Sequence, residues 1–141
     1  MDITMTMKFK DFCYRMQYTW KHKTAFLKIE HELLGHNTLS GYLHDLDKIL
    51  LWYPVAFISQ KDIKWCHNHH RRFSKHHVEN KSKKTRKDYI NMIIDWECAR
   101  YTKPDKPLNA YETMQKFYPE LQHIIIPLLE ELKLKKYDKD R

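Results

Sequence analysis

Histidine and aspartate carry the chemistry available to this sequence. Half of its ten histidines fall between His67 and His77, and His44 is followed directly by Asp45, with Asp47 and Lys48 beside the pair. A carboxylate among Leu43, Leu46, Ile49 and Leu50 is costly to bury unless a cation lies nearby; Asp45 and Asp47 facing water and pairing with Lys48 is the plainer arrangement. Asp95 stands in the most apolar run of the chain, with Met92 and Ala99 on its helical face at i−3 and i+4, so it is expected to point inward. A hydrogen bond from a buried tyrosine or histidine would satisfy it as well as a metal would. His22 shares a helical face with Phe26, Ile29 and Leu33, which directs an imidazole at the core.

Neutral imidazole binds first-row transition ions, and a mixed His/carboxylate set suits Mn, Fe, Ni or Zn better than Mg or Ca. His70 and His77 are two helical turns apart, and His69 and His76 repeat that spacing on the adjoining stripe. No single helix face presents all five histidines of this stretch. His67 and His69 are therefore left for solvent, phosphate contact or proton donation, with His69 taken as the proton donor. The wide separation of His22, His44–Asp45 and Asp95 is what a site assembled from several helices requires.

A lone histidine, a helical His-Asp pair, further histidines and a distant aspartate, in that order, resemble the HD-domain superfamily of metal-dependent phosphohydrolases. The run of Leu43, His44, Asp45, Leu46, Asp47 and Lys48, then Trp65 with the His-rich helix, then Ile94, Asp95 and Trp96, is similar to a family of small bacterial and phage proteins within it. The similarity spans roughly residues 22–118. It implies a metal site of His22, His44, Asp45 and Asp95, and a second ion held with His70, His76 and His77. Lys48, three residues after Asp45, matches members with more than one metal. The chain departs from the pattern in the short interval between His70 and His76 and in Ser74, where the narrower family prefers Asn.

The activity implied is hydrolysis of a phosphomonoester or phosphodiester, of a nucleotide or signalling nucleotide, by a metal-activated water. One or two divalent transition ions would serve as cofactor, and Asp45, Lys48 and His69 would take part in catalysis. Lys48, Arg71, Arg72 and Lys75 are the natural phosphate contacts, Arg by bidentate hydrogen bonds and Lys as a point charge, although Arg71, Arg72 and Lys75 each also read as part of a solvated helix face. The same ligands would equally suit an HD-type di-iron oxygenase, distinguished by colour and oxygen consumption. A third reading is a non-catalytic nucleic-acid binder, with residues 80–87, Arg71 and Arg72 tracking phosphates and Phe73 and Tyr89 stacking on bases. Such a binder has no need of Asp45 and Asp95 in apolar helices.

Helices must position these groups. Only two glycines and five prolines leave few turn residues for a many-stranded sheet, and the periodicity predicts an all-α, five- to six-helix HD-like bundle. The first helix covers about residues 8–34, with a possible break near Thr19 and a stop at Gly35. The second starts at Asn37 and runs through Leu50 until Pro54 closes it. Ser59 with Asp62 opens a third, reaching about Val78. A lysine-rich loop follows, and Thr85 with Asp88 caps a fourth helix through Tyr89, Ile93 and Trp96. Residues 103–107 form a turn, Asn109 with Glu112 starts a fifth helix, and Pro119 opens a last one that Pro127 must kink or split. The basic tail after Leu134 is expected to fray.

At 141 residues the chain fits one domain, residues 1–141 with a core of about 8–133. Lys plus Arg exceed Asp plus Glu by 26 − 18 = 8, which favours phosphates, a phosphorylated small molecule or nucleic acid as partners. Without a signal-peptide pattern or a run of about 20 apolar residues, a cytoplasmic protein with no membrane partner is expected. Cys13, Cys66 and Cys98 lack C-x-x-C spacing and are expected as reduced, mostly buried thiols, which also disfavours a zinc finger.

Overall fold

In the computed structural model, which describes residues 7–102 and 108–134, every regular element is helical. The expected turn at 103–107 and the basic tail lie outside the described residues. Helix α1 (Phe9–Leu34) is the long first helix expected and runs for 26 residues unbroken through Thr19. Thr19 is accommodated because its hydroxyl hydrogen-bonds the Tyr53 hydroxyl at 2.8 Å. The buried face of α1 comprises Thr19, His22, Lys23, Phe26, Ile29 and Glu30, at three- and four-residue spacing. Gly35 ends it at φ 82°, its N–H returning to the His31 carbonyl, as its position had implied.

The second expected helix is divided. Helix α2 (Leu39–Leu43) is capped by Thr38 rather than Asn37, and the chain then bends at His44 and passes through a left-handed Asp45 at φ 58°. A π-helical turn (Lys48–Trp52) leads straight into α3 (Tyr53–Ile58), so Pro54 begins a helix instead of closing one. Proline lacks an N–H and crowds the carbonyl four residues back; the wider turn before it, closed by Tyr53 N–H to the Lys48 carbonyl, accommodates both.

Helix α4 (Ile63–Phe73) is capped by Asp62, which accepts from the Trp65 N–H at 2.9 Å, while Ser59 ends α3. It stops at Phe73, short of the expected Val78. The side-chain amide of Asn80 donates to the carbonyls of Arg72 and Phe73, satisfying groups that a helix end leaves open, and Ser74 is extended. Helix α5 (Arg86–Thr102) opens on the reciprocal Thr85–Asp88 cap, and α6 (Ala110–Phe117) on the Asn109–Glu112 capping box. A 3-10 turn (Pro119–Leu121) precedes α7 (Gln122–Glu131), which continues unsplit through Pro127. The carbonyl that Pro127 cannot serve belongs to His123, which is exposed to water.

Two apolar clusters hold these helices. Phe26 and Ile29 of α1 pack with Ile93 and Ile94 of α5, Met114 of α6 and Leu129 of α7. Phe12 and Met16, nearer the start of α1, pack with Tyr53, Ala56 and Cys66 of α3 and α4. Burying each large apolar side chain stabilises by about 1.5–3 kcal/mol, so these clusters, not the buried charges, fix the frame. The middle of α1, bearing His22 and Lys23, lies between the residues it gives to each cluster.

Candidate metal centre

Four groups that are remote in sequence meet in a first cluster: His22 of α1, His44 and Asp45 of the bend after α2, and Asp95 of α5. His22 Nε2 and His44 Nε2 lie 2.7 and 3.0 Å from the same oxygen, Asp95 Oδ1. Asp45 Oδ2 is 3.7 Å from the first nitrogen and 3.5 Å from the second. Ligands about 2.1 Å from one ion at octahedral or tetrahedral angles stand about 3.0–3.4 Å apart, a range that the four distances bracket to within about 0.3 Å.

Asp45, His70, His76 and His77 form a second group whose candidate ligand atoms lie within 4.8 Å of one another, and Asp45 belongs to both. His70 and His77 do not meet along a helical stripe, as their spacing suggested. The stop after Phe73 lets the chain turn back, placing the His76 and His77 rings 5.4 and 4.8 Å from that of His70. The second group exists because the helix ends early.

Three buried atoms in this group have no hydrogen-bond partner: Asp45 Oδ1, His70 Nε2 and His76 Nε2. They are nonetheless close, with Oδ1 3.0 Å from the first nitrogen and 3.5 Å from the second. Asp47, not singled out as a site residue from the sequence, explains the case of His70. Its carboxylate accepts from His70 Nδ1–H and from Trp52 Nε1–H, each at 2.7 Å, which places a proton on Nδ1, so that in the neutral ring Nε2 carries the lone pair. Two lone pairs facing each other at this distance, out of water, are complementary to a cation.

The electrostatics agree. Burial alone would raise the Asp45 pKa, but His44, Lys48, His70 and His76 more than offset it and hold the carboxyl well below its usual range. Asp95 is likewise pushed up by burial and down further by hydrogen bonds with His22 and His44. Burial pulls the His44 pKa down to about 4 and lowers that of His77. His70 moves the other way: burial lowers it, but Asp45 and Asp47 on opposite sides raise it, so positive charge is favoured at this point. Anionic Asp45 and Asp95 beside neutral His44 and His77 are ligand states that a divalent ion needs, while His70 exchanges its extra positive charge for that of the ion.

Backbone and side chains behind the ligands hold them. The His44 ring stacks on Phe26 with centroids 3.9 Å apart. Lys23, buried next to His22, directs its ammonium at the carbonyls of Gly41, Tyr42 and His44, at the end of α2. One turn of α1 thus supplies a ligand and clamps the backbone that carries two more. Glu30, fully buried, accepts from Asn37 Nδ2 and from the N–H and hydroxyl of Thr38, and a Cβ on Gly41 would overlap its carboxylate.

A cavity of about 340 Å³ opens over the cluster, with His22, Asp45, His70, His77 and Asp95 in its lining. Of the four phosphate contacts expected, Lys48 and Arg71 line it, while Arg72 and Lys75 are exposed and do not. His69 also stays away: its Nδ1 lies 2.8 Å from the Trp65 carbonyl and its ring packs against Trp65 and Trp52. His67 lines the cavity instead, held neutral with a pKa pulled down to about 4 by burial first and then by Lys48, Arg71 and Arg15. Arg15 and Tyr18, missed in the sequence, complete the mouth from α1; Arg15 stands two turns before His22 on the same stripe, which was the available signal. No helix among the described residues is long and apolar enough to cross a membrane. Comparisons with protein-family models, with curated proteins and with solved structures found no match to this chain.

Proposed function

We propose that the chain is a metal-dependent phosphohydrolase of the HD type, which cleaves a phosphate ester of a small phosphorylated molecule such as a nucleotide. The observation that carries this reading is the convergence of Asp45 Oδ1, His70 Nε2 and His76 Nε2, buried and without hydrogen bonds, on one point next to a four-ligand cluster. His22, His44, Asp45 and Asp95 would hold one ion; Asp45, His70, His76 and His77 would hold the other, with Asp45 common to both. The nitrogen- and carboxylate-rich donor set favours Mn, Fe, Ni or Zn. When bound, such ions polarise phosphoryl oxygens and ease the deprotonation of water.

The chain's own side chains do the rest. Lys48, 3.5 Å from Asp45 Oδ2 and facing the cavity, adds a fixed positive charge where negative charge accumulates on a reacting phosphate. Trp96, Leu108 and Phe117 in the cavity wall offer an apolar surface for the leaving group. Water's oxygen forms the new P–O bond, the ester P–O bond breaks, and the leaving oxygen takes up a proton.

Elemental analysis of purified protein, with a phosphatase screen in added Mn, tests the reading. The parent chain is expected to carry about two transition-metal equivalents per chain and to release phosphate. Asp45→Asn, which tolerates the left-handed backbone, is expected to lose both metal and activity. A parent chain that stays metal-free after incubation with Mn, Fe, Ni and Zn overturns it; a metal-loaded, coloured protein that consumes oxygen and releases no phosphate favours the oxygenase.

A further inference from the structure

Arg15 and Arg71 approach the cavity from different helices, α1 and α4, and Lys48 joins them from the π-helical turn. Lys48 is balanced by Asp45. The other carboxylate in the lining, Asp95, is engaged by His22 and His44. Among the described residues neither arginine forms an ion pair, so two side chains in the cavity lining carry charge without a carboxylate partner, Arg71 exposed at the rim and Arg15 with its guanidinium carbon 5.6 Å from the centroid of the Tyr14 ring. Their field acts on a common point, since His67 feels Lys48, Arg71 and Arg15 together. Like charges gathered around a concave space repel one another unless an anion joins them.

We infer that Arg15 and Arg71 form an anion subsite beside the metal ligands, and that the substrate is a small organic phosphate bearing a second anionic group, phosphate or carboxylate, held there. The placement of the scissile phosphate rests on the hydrolase reading, whereas the subsite itself uses no metal ligand. A planar guanidinium offers paired N–H donors to two oxygens of one anion, so two of them select for a dianionic group over a neutral one. The cavity volume, near the lower end of the range of about 300–1,000 Å³ for small-molecule pockets, favours a compact ligand over a polymer.

The test is calorimetric titration of metal-free protein, stripped on a chelating resin, with pyrophosphate and with inorganic phosphate. Pyrophosphate is expected to bind about tenfold more tightly than phosphate, and Arg15→Ala and Arg71→Ala each to remove that advantage. Arg15→Lys and Arg71→Lys keep charge and packing but lose the paired donors, so they recover only part of it and show the same loss if an alanine variant does not fold. Equal affinity for the two anions, no binding without metal, or arginine variants that bind like the parent would each overturn the subsite. Pyrophosphate binding in a protein that takes up no metal would leave it standing while the hydrolase reading fell.

Discussion

Asp45 Oδ1 and His70 Nε2 lie 3.0 Å apart in the interior, and neither completes a hydrogen bond. The carboxylate carries no proton to offer, and the imidazole proton is committed to Asp47 on its far side. A cation between them removes the repulsion and satisfies His76 as well. Metal should therefore stabilise the fold strongly. At a free-ion concentration 100-fold above Kd, linkage gives about 2.7 kcal/mol, a rise in Tm on the order of 10 °C for a domain of this size. Melting followed by circular dichroism, in chelator and then in Mn or Zn, reads this directly, and identical curves would argue against any ion at Asp45.

Asp47 tests the same site from behind. Its Oδ2 accepts from both His70 and Trp52, so removing it frees the His70 ring and lets the proton move to Nε2, the atom needed for coordination. Asp47→Ala is expected to weaken metal binding by about 10–100-fold, as loss of such supporting carboxylates typically does, and Asp47→Asn by less because its amide oxygen still accepts one bond. Competition with a coloured chelator gives the affinities. Asp47→Ala with parental affinity would show that His70 needs no such support.

Helical periodicity made much of this legible. His22 and Asp95 point inward because α1 and α5 bury the faces on which they stand, and the caps at Thr85 and Asn109 lie where their local chemistry places them. What periodicity could not reveal are the breaks. Residues 39–51 read as one leucine-rich stripe, and nothing adjacent announces that Asp45 takes positive φ, a conformation that aspartate tolerates better than most residues. Nor does a glycine or proline follow Phe73; the end of α4 depends on Asn80 reaching back from beyond it. Tertiary demand also reversed polarity signals. Trp20, an apolar position in the expected stripe, is 59% exposed, while Lys23 is buried because the broken backbone of α2 needs its ammonium.

Lys23 gives a further prediction. Its ammonium holds the carbonyls of Gly41, Tyr42 and His44, of which that of Gly41 also accepts from the His44 N–H. Lys23→Met fills similar volume but removes the ammonium from the Tyr42 and His44 carbonyls. The expected cost is about 1.5–3 kcal/mol in metal-free protein, the range for hydrogen bonds to charged groups. Because those carbonyls carry His44 and Asp45, metal occupancy should fall with it. Denaturant unfolding in chelator measures the first effect and elemental analysis the second; a variant with parental stability would mean that water or another group can serve these carbonyls.

Cys98 bears on whether sulfur belongs to the metal shell. Its Sγ lies 3.7 and 3.8 Å from the two ring nitrogens of His22, close enough to suggest a ligand. Its thiol, however, donates to the Asp95 backbone carbonyl at 3.3 Å, and burial first, then Asp95 and Asp45, raises its pKa far out of the range where thiolate forms. Burial likewise pushes Cys66 up to about 11, leaving the half-buried Cys13 as the most accessible thiol. A thiol-specific reagent at neutral pH is thus expected to modify Cys13 in the native protein and all three cysteines only after denaturation. Cys98→Ala should keep the metal content of the parent, because the shell is complete from histidine and aspartate; loss of an equivalent would instead place sulfur among the ligands.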